Sequence, residues 1–587
     1  MAGFTAKEES FKVFESEKNL NIPLFQRKYV WKEENWQELF DSFFQNKTFG
    51  FLGSILVQRK TIDAGSGELE VIDGQQRLTT ISILVMAIYD SLDEEKRENT
   101  LDCIHNILFS KKTYEREYRP KINHSKYDKE DYNKVIKLNR EQGTIDRNIE
   151  DGIIGCYNYF KSRLSEISSD KIEDVFDNII TGRNKIWVVI TLDRDMDEQT
   201  IFDTLNNSGV SLTAGDTIKN YIFKKAHEIY NRYYESPLEA ENKLIELHNS
   251  TWENAFSNTK DLNEYWDKIK VTGRVKRINL DLFLYSFGIV KGIYTTYENS
   301  ISELSSKYKK YIDTIDTKEE MDSLLKEIYI YSLTYRNSFD CIDSDTLFKY
   351  SRDNVIERLI HLISYLQITA FNPYILKMLK DYENDTDTLI KKLHLLEKYL
   401  VYNNLTKDTT KIKNYNKMCM TIINDPNKLE KECFEMDLTK PFILLDDITN
   451  KMARFYLFWI ELYRRNENHD EVKLQDVYSL EHIMPQKWRQ EWFPDKSENI
   501  NSEFIENREK NVYRIGNMTL LKGKLNTSMS NKKFSDKVEK MRPYAALKIT
   551  KEDIINQYDS GAKVWDEKRI NKRTKKFENM IKDIFLY

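Results

Sequence analysis

The sequence has few of the residues that staple, break or anchor a chain. Five cysteines (Cys103, Cys156, Cys341, Cys419 and Cys433) are scattered over 587 residues, with no CxxC pair. A structural zinc site needs clustered ligands, so none is expected. The odd count and wide spacing fit a reducing cytoplasm. No run of about 18 apolar residues occurs, so no transmembrane helix is expected. The charged, amphipathic start MAGFTAKEESFKVF does not read as a signal peptide. Only nine prolines interrupt the chain, which favours helix. There is no GxxxxGK[ST] phosphate loop, no fixed-period repeat and no long low-complexity linker. Charge of one sign is missing too: 90 basic against 95 acidic side chains leave a net charge of -5. Any binding to nucleic acid must therefore use locally concentrated charge.

What is present falls into three parts. Over 1–230, helix and strand signals mix. FGFLGSILVQ (49–58), LEVIDG (69–74) and the β-branched KIWVVITL (185–192) read as strands. LTTISILVMAIYDSL (78–92) reads as a buried helix, EQTIFDTLNNSG (198–209) as a second, and 213–230 as a third with Thr213 as N-cap. Over 231–430, helix follows helix with apolar residues at i, i+3 and i+4, as in 280–294 and 353–368. The expectation there is a helical scaffold. Over 431–587, an apolar helix (448–465) leads to a short strand (477–488), a second strand with a Gly-Asn break (512–521), then a loop becoming a basic helix (522–541).

The junctions of this last part carry the chemistry. Hydrolysing a phosphodiester requires a deprotonated water, a held phosphate and a stabilised leaving oxygen. One histidine and one Mg²⁺-class ion on hard oxygen ligands can supply all three. Glu481 and His482 stand side by side in EHIMP, Asn517 follows in GNMTLL, and Asn526 comes nine positions later. Neighbours on a regular strand point to opposite sides, so Glu481 and His482 share a metal only if the chain bends at Ile483-Met484-Pro485.

EHIMPQKW, RIGNMTLL and LNTSMSNKKF resemble the HNH nucleases of the His-Me finger class, and more narrowly the C-terminal nuclease of the GmrSD family of modification-dependent restriction proteins. The resemblance implies that His482 is the general base, that Glu481 and Asn526 bind Mg²⁺ or Mn²⁺, and that Asn517 orients the histidine through a hydrogen bond. Lys522, Lys524, Lys532 and Lys533 are candidate phosphate contacts, with Asn531 a weaker polar one; a solvated helix face, which would include Lys537, is the plain alternative.

Upstream, VIDGQQRLTT (71–80) ends a strand, turns on Gly74 and opens a helix. Free backbone N–H groups at that opening favour anions, and Arg77 adds a fork for phosphate. PLFQRKYVW (23–31) sets Gln26 and Arg27 among aromatics, and FDTLNNSG with LTAGDTIKN follows at 202–220. Together these segments resemble the N-terminal GmrS-like domain, of the ParB/sulfiredoxin class. The resemblance implies NTP hydrolysis or sensing (ATP, GTP, UTP or CTP) at Asp73, Gly74, Gln75, Gln76 and Arg77, completed by Gln26 and Arg27. Asp216 and Lys219 could join that pocket or pair with each other. Phe25, Tyr29, Trp31 and Trp36 could stack on a base or pack in the core.

The expected fold is α+β and predominantly helical: a ParB/sulfiredoxin-like α/β domain (1–230), a helical middle (231–430) and a ββα-metal nuclease embedded in helices (431–587). The expected function is an NTP-regulated, metal-dependent endonuclease on modified foreign DNA in anti-phage defence, cytoplasmic and without a membrane partner. The alternatives are a modification sensor or nickase serving another defence system, and an RNA-cleaving effector. One nuclease site per chain favours a homodimer or successive nicks for double-strand cleavage.

Overall fold

In a computed structural model of the chain, the described residues are 4–16, 19–23, 26, 28–45, 50–59, 68–110, 118–124, 126–138, 144–192, 213–272, 275–294, 301–339, 342, 345–406, 414–465, 472–489, 492, 502–529 and 531–587. They form an α+β, predominantly helical structure in two compact units, Met1–Lys224 and Lys225–Tyr587. The helix expected at 198–209, along with Phe25 and Arg27, lies outside the described residues.

The first unit is built on a mixed six-stranded sheet. Its strands are β1 (Phe4–Glu9), β2 (Asn19–Asn21), β3 (Ser54–Arg59), β4 (Glu68–Asp73), β5 (Ile122–Asn123) and β6 (Trp187–Leu192), in the order β1-β6-β3-β4-β2-β5. β3 lies between β4, antiparallel, and β6, parallel. The apolar runs in both strands reflect this central place. Strand β1 was not evident in the sequence; it forms from the charged opening segment and pairs antiparallel with β6. An edge strand needs no continuous apolar run, and its Lys and Glu side chains are the usual guard of an open edge.

Four helices of this unit matter below: α1 (Glu33–Phe44), α2 (Gln75–Tyr89), α3 (Gly152–Leu164) and α4 (Ser169–Thr181). Every residue of α2 from Leu78 to Tyr89 is buried. A helix that is apolar on all faces has no solvent side, so α2 is the central post of the unit. Gly74 opens it at φ +88, a left-handed conformation that a β-carbon disfavours. Added there, a Cβ would also press on Ile55 and the Ser54 carbonyl at 3.0–3.1 Å.

In the second unit the expected run of helices is present, including Asn279–Val290, Val355–Leu366 and Thr386–Leu405. A hairpin of Ile269–Thr272 with Val275–Ile278 interrupts them. Arg358 and Glu397 join the last two helices through a fully buried, two-pronged ion pair at 2.6 and 2.8 Å. The C-terminal elements are α5 (Asn450–Tyr463), β7 (Tyr478–His482), α6 (Ser502–Val512), β8 (Met518–Lys522), α7 (Gly523–Met529), α8 (Phe534–Met541) and α9 (Glu567–Phe585). Just ahead of β7, Asp476 gathers His361 and Tyr365 from the middle helices and Arg454 from α5. The helical middle and the C-terminal segment therefore share one unit. Two expectations need correction here. Residues 512–517 are not strand: α6 ends at Val512 and a short 3-10 turn covers Ile515–Asn517. The expected loop after Lys522 is helix α7, starting directly at Gly523.

Candidate active site and nucleotide-binding segment

Strands β7 and β8 form a two-stranded antiparallel ribbon that sets Glu481 against Thr519 and His482 against Met518. The chain bends at Ile483 and Met484, immediately after His482. Asn517 makes that bend. Its Oδ1 accepts from Met484 N at 2.8 Å and Trp565 Nε1 at 3.1 Å; its Nδ2 donates to Met484 O at 2.8 Å and Val512 O at 3.0 Å. All four bonding positions of the amide are thus taken by the loop and its neighbours. The expected hydrogen bond from Asn517 to the histidine ring is therefore absent. Asn517 acts on His482 through the backbone two residues on.

Helix α9 braces the same turn. Arg573 donates to Gly516 O and Met518 O at 2.9 and 2.7 Å. Gly516 is obligatory, since a Cβ there would lie 2.2 Å from Ile570 O and 2.6 Å from Thr574 N.

His482 is half-buried, and its Nε2 has no hydrogen-bond partner among the described residues. Desolvation, aided by the nearby Lys537 ammonium, holds its pKa down at about 4. The imidazole is therefore neutral at neutral pH, the form that accepts a proton. Asn526, on α7, donates from Nδ2 to Leu480 O on β7 at 3.0 Å, while its Oδ1 is buried with no partner among the described residues. Two orphaned acceptors thus border one strand, where buried polar groups are ordinarily satisfied.

The N-terminal candidates divide differently. Gln26 is buried and donates to Val71 O and Ile72 O at 2.8 and 2.9 Å, so it clamps β4. Gln76 accepts from Val30 N and donates to Lys28 O at 3.0 and 3.1 Å, fastening the 28–30 segment to the start of α2. Gln26 thus gives both N–H bonds to backbone, and Gln76 its oxygen and one N–H. Arg77 donates to Ser54 O and lies 4.0 Å from Asp73. Asp73, Gly74, Gln75 and Arg77 therefore remain at the helix opening. Tyr29 and Trp36 are buried and bonded to each other at 3.0 Å, with Tyr29 also bonded to Thr80; they pack the core and stack on no base. Thr213 caps its helix as expected, taking Asp216 N at 3.1 Å and donating to Asp216 Oδ2 at 2.9 Å. A cavity of about 880 Å³ opens at the other end of α2, lined by Tyr89, Asp90, Arg97, Tyr157 and Lys161. Tyr157 and Lys161 are already engaged by Asp90 and Ser91, and the lining charge is mixed.

Residues 11–223 match the N-terminal domain of the GmrSD restriction endonuclease, and residues 439–580 match the C-terminal domain of GmrSD restriction endonucleases. The chain belongs to the GmrSD family. It is also 24% identical, over 264 residues, to the uncharacterized protein MJ0686 of Methanocaldococcus jannaschii, covering 39% of this chain and 44% of that protein. The chain thus spans less than half the length of this curated relative.

Both GmrSD domains fall on the segments singled out above: the DGQQR segment lies within the first match and the β7–β8–α7 arrangement within the second. The donor set of the C-terminal site can be tested against a divalent cation. Asn526 Oδ1 fits, as a buried hard oxygen lacking a partner. Glu481 fits through one oxygen only. Its Oε1 is held by Lys537 Nζ at 2.6 Å, while Oε2 makes no hydrogen bond among the described residues. Among those residues no three His, Cys, Asp or Glu side chains gather as a cage, so any cation would rest on Asn526, Glu481 and non-protein oxygens.

Lys537 is the site residue that sequence reasoning missed. On α8 the sequence offered it as a lysine of a solvated face or a phosphate contact. Instead it is 1% exposed, bonded to Glu481 and, at 2.8 Å, to His482 O. The signal was there in phase: Phe534, Val538 and Met541 make the buried face of α8, and Lys537 falls on it. Burial pushes the Glu481 carboxyl up and the Lys537 ammonium down, and each partner opposes the other's shift. Lys537→Met should therefore strand a buried carboxylate and cost about 3–5 kcal/mol. Glu481→Leu combined with Lys537→Met should recover most of that loss. Urea unfolding of both single variants and the double variant measures this; a double-variant loss equal to the sum of the two single losses would mean the pair is not coupled.

Proposed function

We propose that the chain is a divalent-metal-dependent endonuclease acting on modified foreign DNA in anti-phage defence, regulated by nucleotide at its N-terminal domain. The observation that carries the nuclease reading is the pair of acceptors without a partner among the described residues, His482 Nε2 on β7 and Asn526 Oδ1 on the helix bonded to that strand. His482 takes the proton of the attacking water. Asn526 and Glu481 Oε2 hold a Mg²⁺ or Mn²⁺ ion, which when bound supplies positive charge for the phosphate and the leaving oxygen. Lys537 fixes the Glu481 carboxylate by its other oxygen, as outer-shell partners of metal ligands do. Asn517 and Arg573 hold the turn that aims His482. Lys522, Lys524, Lys532 and Lys533 lie exposed nearby and are available to DNA phosphates. Cleavage of unmodified and hydroxymethylated DNA with Mg²⁺ or Mn²⁺, with and without each NTP, tests this reading. Absence of cleavage in every combination removes it.

The depressed pKa of His482 gives a pH test with a defined sign. The neutral base persists until pH falls to about 4. Cleavage should stay level from pH 7 to about 5 and drop only near that value, and a bound cation would move the limb lower still. An acid limb near the usual histidine value, about 6.5, removes either the burial or the role.

For the N-terminal domain, the reading rests on Gly74 opening α2 with Arg77 one turn in and Asp73 just before. Amide groups at that helix start would face the phosphates. Arg77→Ala should reduce NTP turnover at least about tenfold, a loss of roughly 1.4 kcal/mol in barrier stabilisation. Unchanged turnover sinks the nucleotide reading and spares the nuclease.

A further inference from the structure

Beside the catalytic ribbon lies a groove that the reaction does not use. It has a volume of about 540 Å³, within the range that small ligands fill. Leu520 and Leu547 form its floor, and Leu525 on α7 makes one wall. Tyr478 and Tyr544 line it, Tyr544 being 74% exposed. Lys522 and Lys524 stand at its rim, exposed and without an ion pair among the described residues. An apolar slot with an uncovered aromatic ring costs free energy in water unless something covers it. Two unpaired ammonium groups at its mouth select a partner that is anionic outside and flat and apolar within. A nucleic-acid strand has that chemistry: phosphates for the lysines and a base face for the tyrosines.

The location sharpens this. Leu525 and Lys524 share helix α7 with Asn526. Tyr478 and Lys522 are paired across the ribbon, four residues along from the His482–Met518 pair. That separation is about 13 Å at strand rise, or about four base steps along one strand of a duplex. We propose that this groove receives one nucleobase of the substrate strand, drawn out of the stack about four positions from the cleaved phosphate, with the flanking phosphates on Lys522 and Lys524. The proposal rests on the nuclease reading above. It gives the second unit a means of examining a base directly, separate from the chemistry at His482.

The test uses the full chain carrying His482→Ala, so that DNA is bound and not cut. Duplexes carry 2-aminopurine singly at each of the positions within about six steps of the cut, in unmodified and hydroxymethylated versions. Emission should rise several-fold at one position, as the base leaves the stack. Ala546→Trp, which fills the groove, should abolish that rise, and Tyr544→Ala should reduce it. Lys522→Ala with Lys524→Ala should weaken binding about tenfold at moderate salt and flatten its salt dependence by about two contacts. Bound DNA with unchanged emission at every position overturns the proposal and leaves the nuclease standing. So does an undiminished rise in Ala546→Trp. A dimer of the parent chain that Ala546→Trp dissociates assigns the groove to a second copy and also overturns it. If neither duplex binds at all, the nuclease reading fails and the groove with it.

Discussion

Replacing His482 with alanine should lower metal-dependent cleavage by about 10²–10⁴-fold while leaving the fold nearly untouched. The ring's Nε2 is a buried acceptor without a partner among the described residues, on the same strand to which Asn526 is bonded. Its structural part is small. It makes no side-chain hydrogen bond among the described residues, and its ring contact with Tyr513 is long, at 6.4 Å between centroids. The nearby Lys537 ammonium is repelled by a protonated His482 and indifferent to a neutral one. Loss of the imidazole should therefore cost about 1 kcal/mol, and the backbone anchor from Lys537 to His482 O survives the substitution. Single-turnover cleavage together with a thermal melt checks both halves. Parental cleavage by the pure variant would remove His482 from the chemistry. A melt lowered by many degrees would mean that the residue holds structure instead.

The sequence carried the central elements because their signals are local. The apolar LEVIDG and KIWVVITL runs are β4 and β6, shifted by a residue or two at their ends. The helix read at 78–92, with its opening expected just after the Gly74 turn, runs from Gln75 to Tyr89. Strands β1, β2 and β5 were not legible. They are short or charged, and they exist through pairing with partners remote in sequence: β1 with β6, β2 with β4, and β5 with β2. A three-part division was read from the helix and strand signals. The structure falls into two compact units, the second running from Lys225 to Tyr587, in which Asp476 and its three partners tie the middle helices to the segment that launches β7.

The candidate site was legible in its residues and not in its wiring. Glu481, His482, Asn517 and Asn526 all lie on or beside one ribbon. A bend is present at Ile483 and Met484, while Glu481 and His482 themselves keep regular ladder register before it. What makes it could not be read, because Asn517 reaches Trp565, which is 48 residues away in sequence. The same holds for Arg573 and for the Lys537–Glu481 pair, which spans 56 residues. In the N-terminal segment the local bonding was not legible: Gln26 and Gln76 have the N–H donors a phosphate site needs, and backbone carbonyls take the same groups.

Asn517→Ala should destabilise the second unit more than any other single change at the site. The side chain is fully buried and makes four hydrogen bonds, at 2.8, 2.8, 3.0 and 3.1 Å. Truncation leaves Met484 N–H, Met484 O, Val512 O and Trp565 Nε1 unpaired inside the core. At about 1–3 kcal/mol for each stranded group, partly relieved by relaxation, the loss is roughly 4 kcal/mol or more. That is a large share of the roughly 5–15 kcal/mol that holds a domain folded. Asn517→Asp separates shape from bonding. A carboxylate still accepts from Met484 N and Trp565 Nε1, but it faces Met484 O and Val512 O without a proton to donate, so it should be nearly as damaging. Both variants should lose cleavage together with stability, because the loop that aims His482 is no longer held. His482→Ala loses cleavage alone, so denaturant unfolding of the three proteins separates a residue that performs the chemistry from one that holds it in place. If Asn517→Ala melts like the parent yet fails to cut, the amide acts directly on the reacting groups and the positioning role assigned to it is wrong.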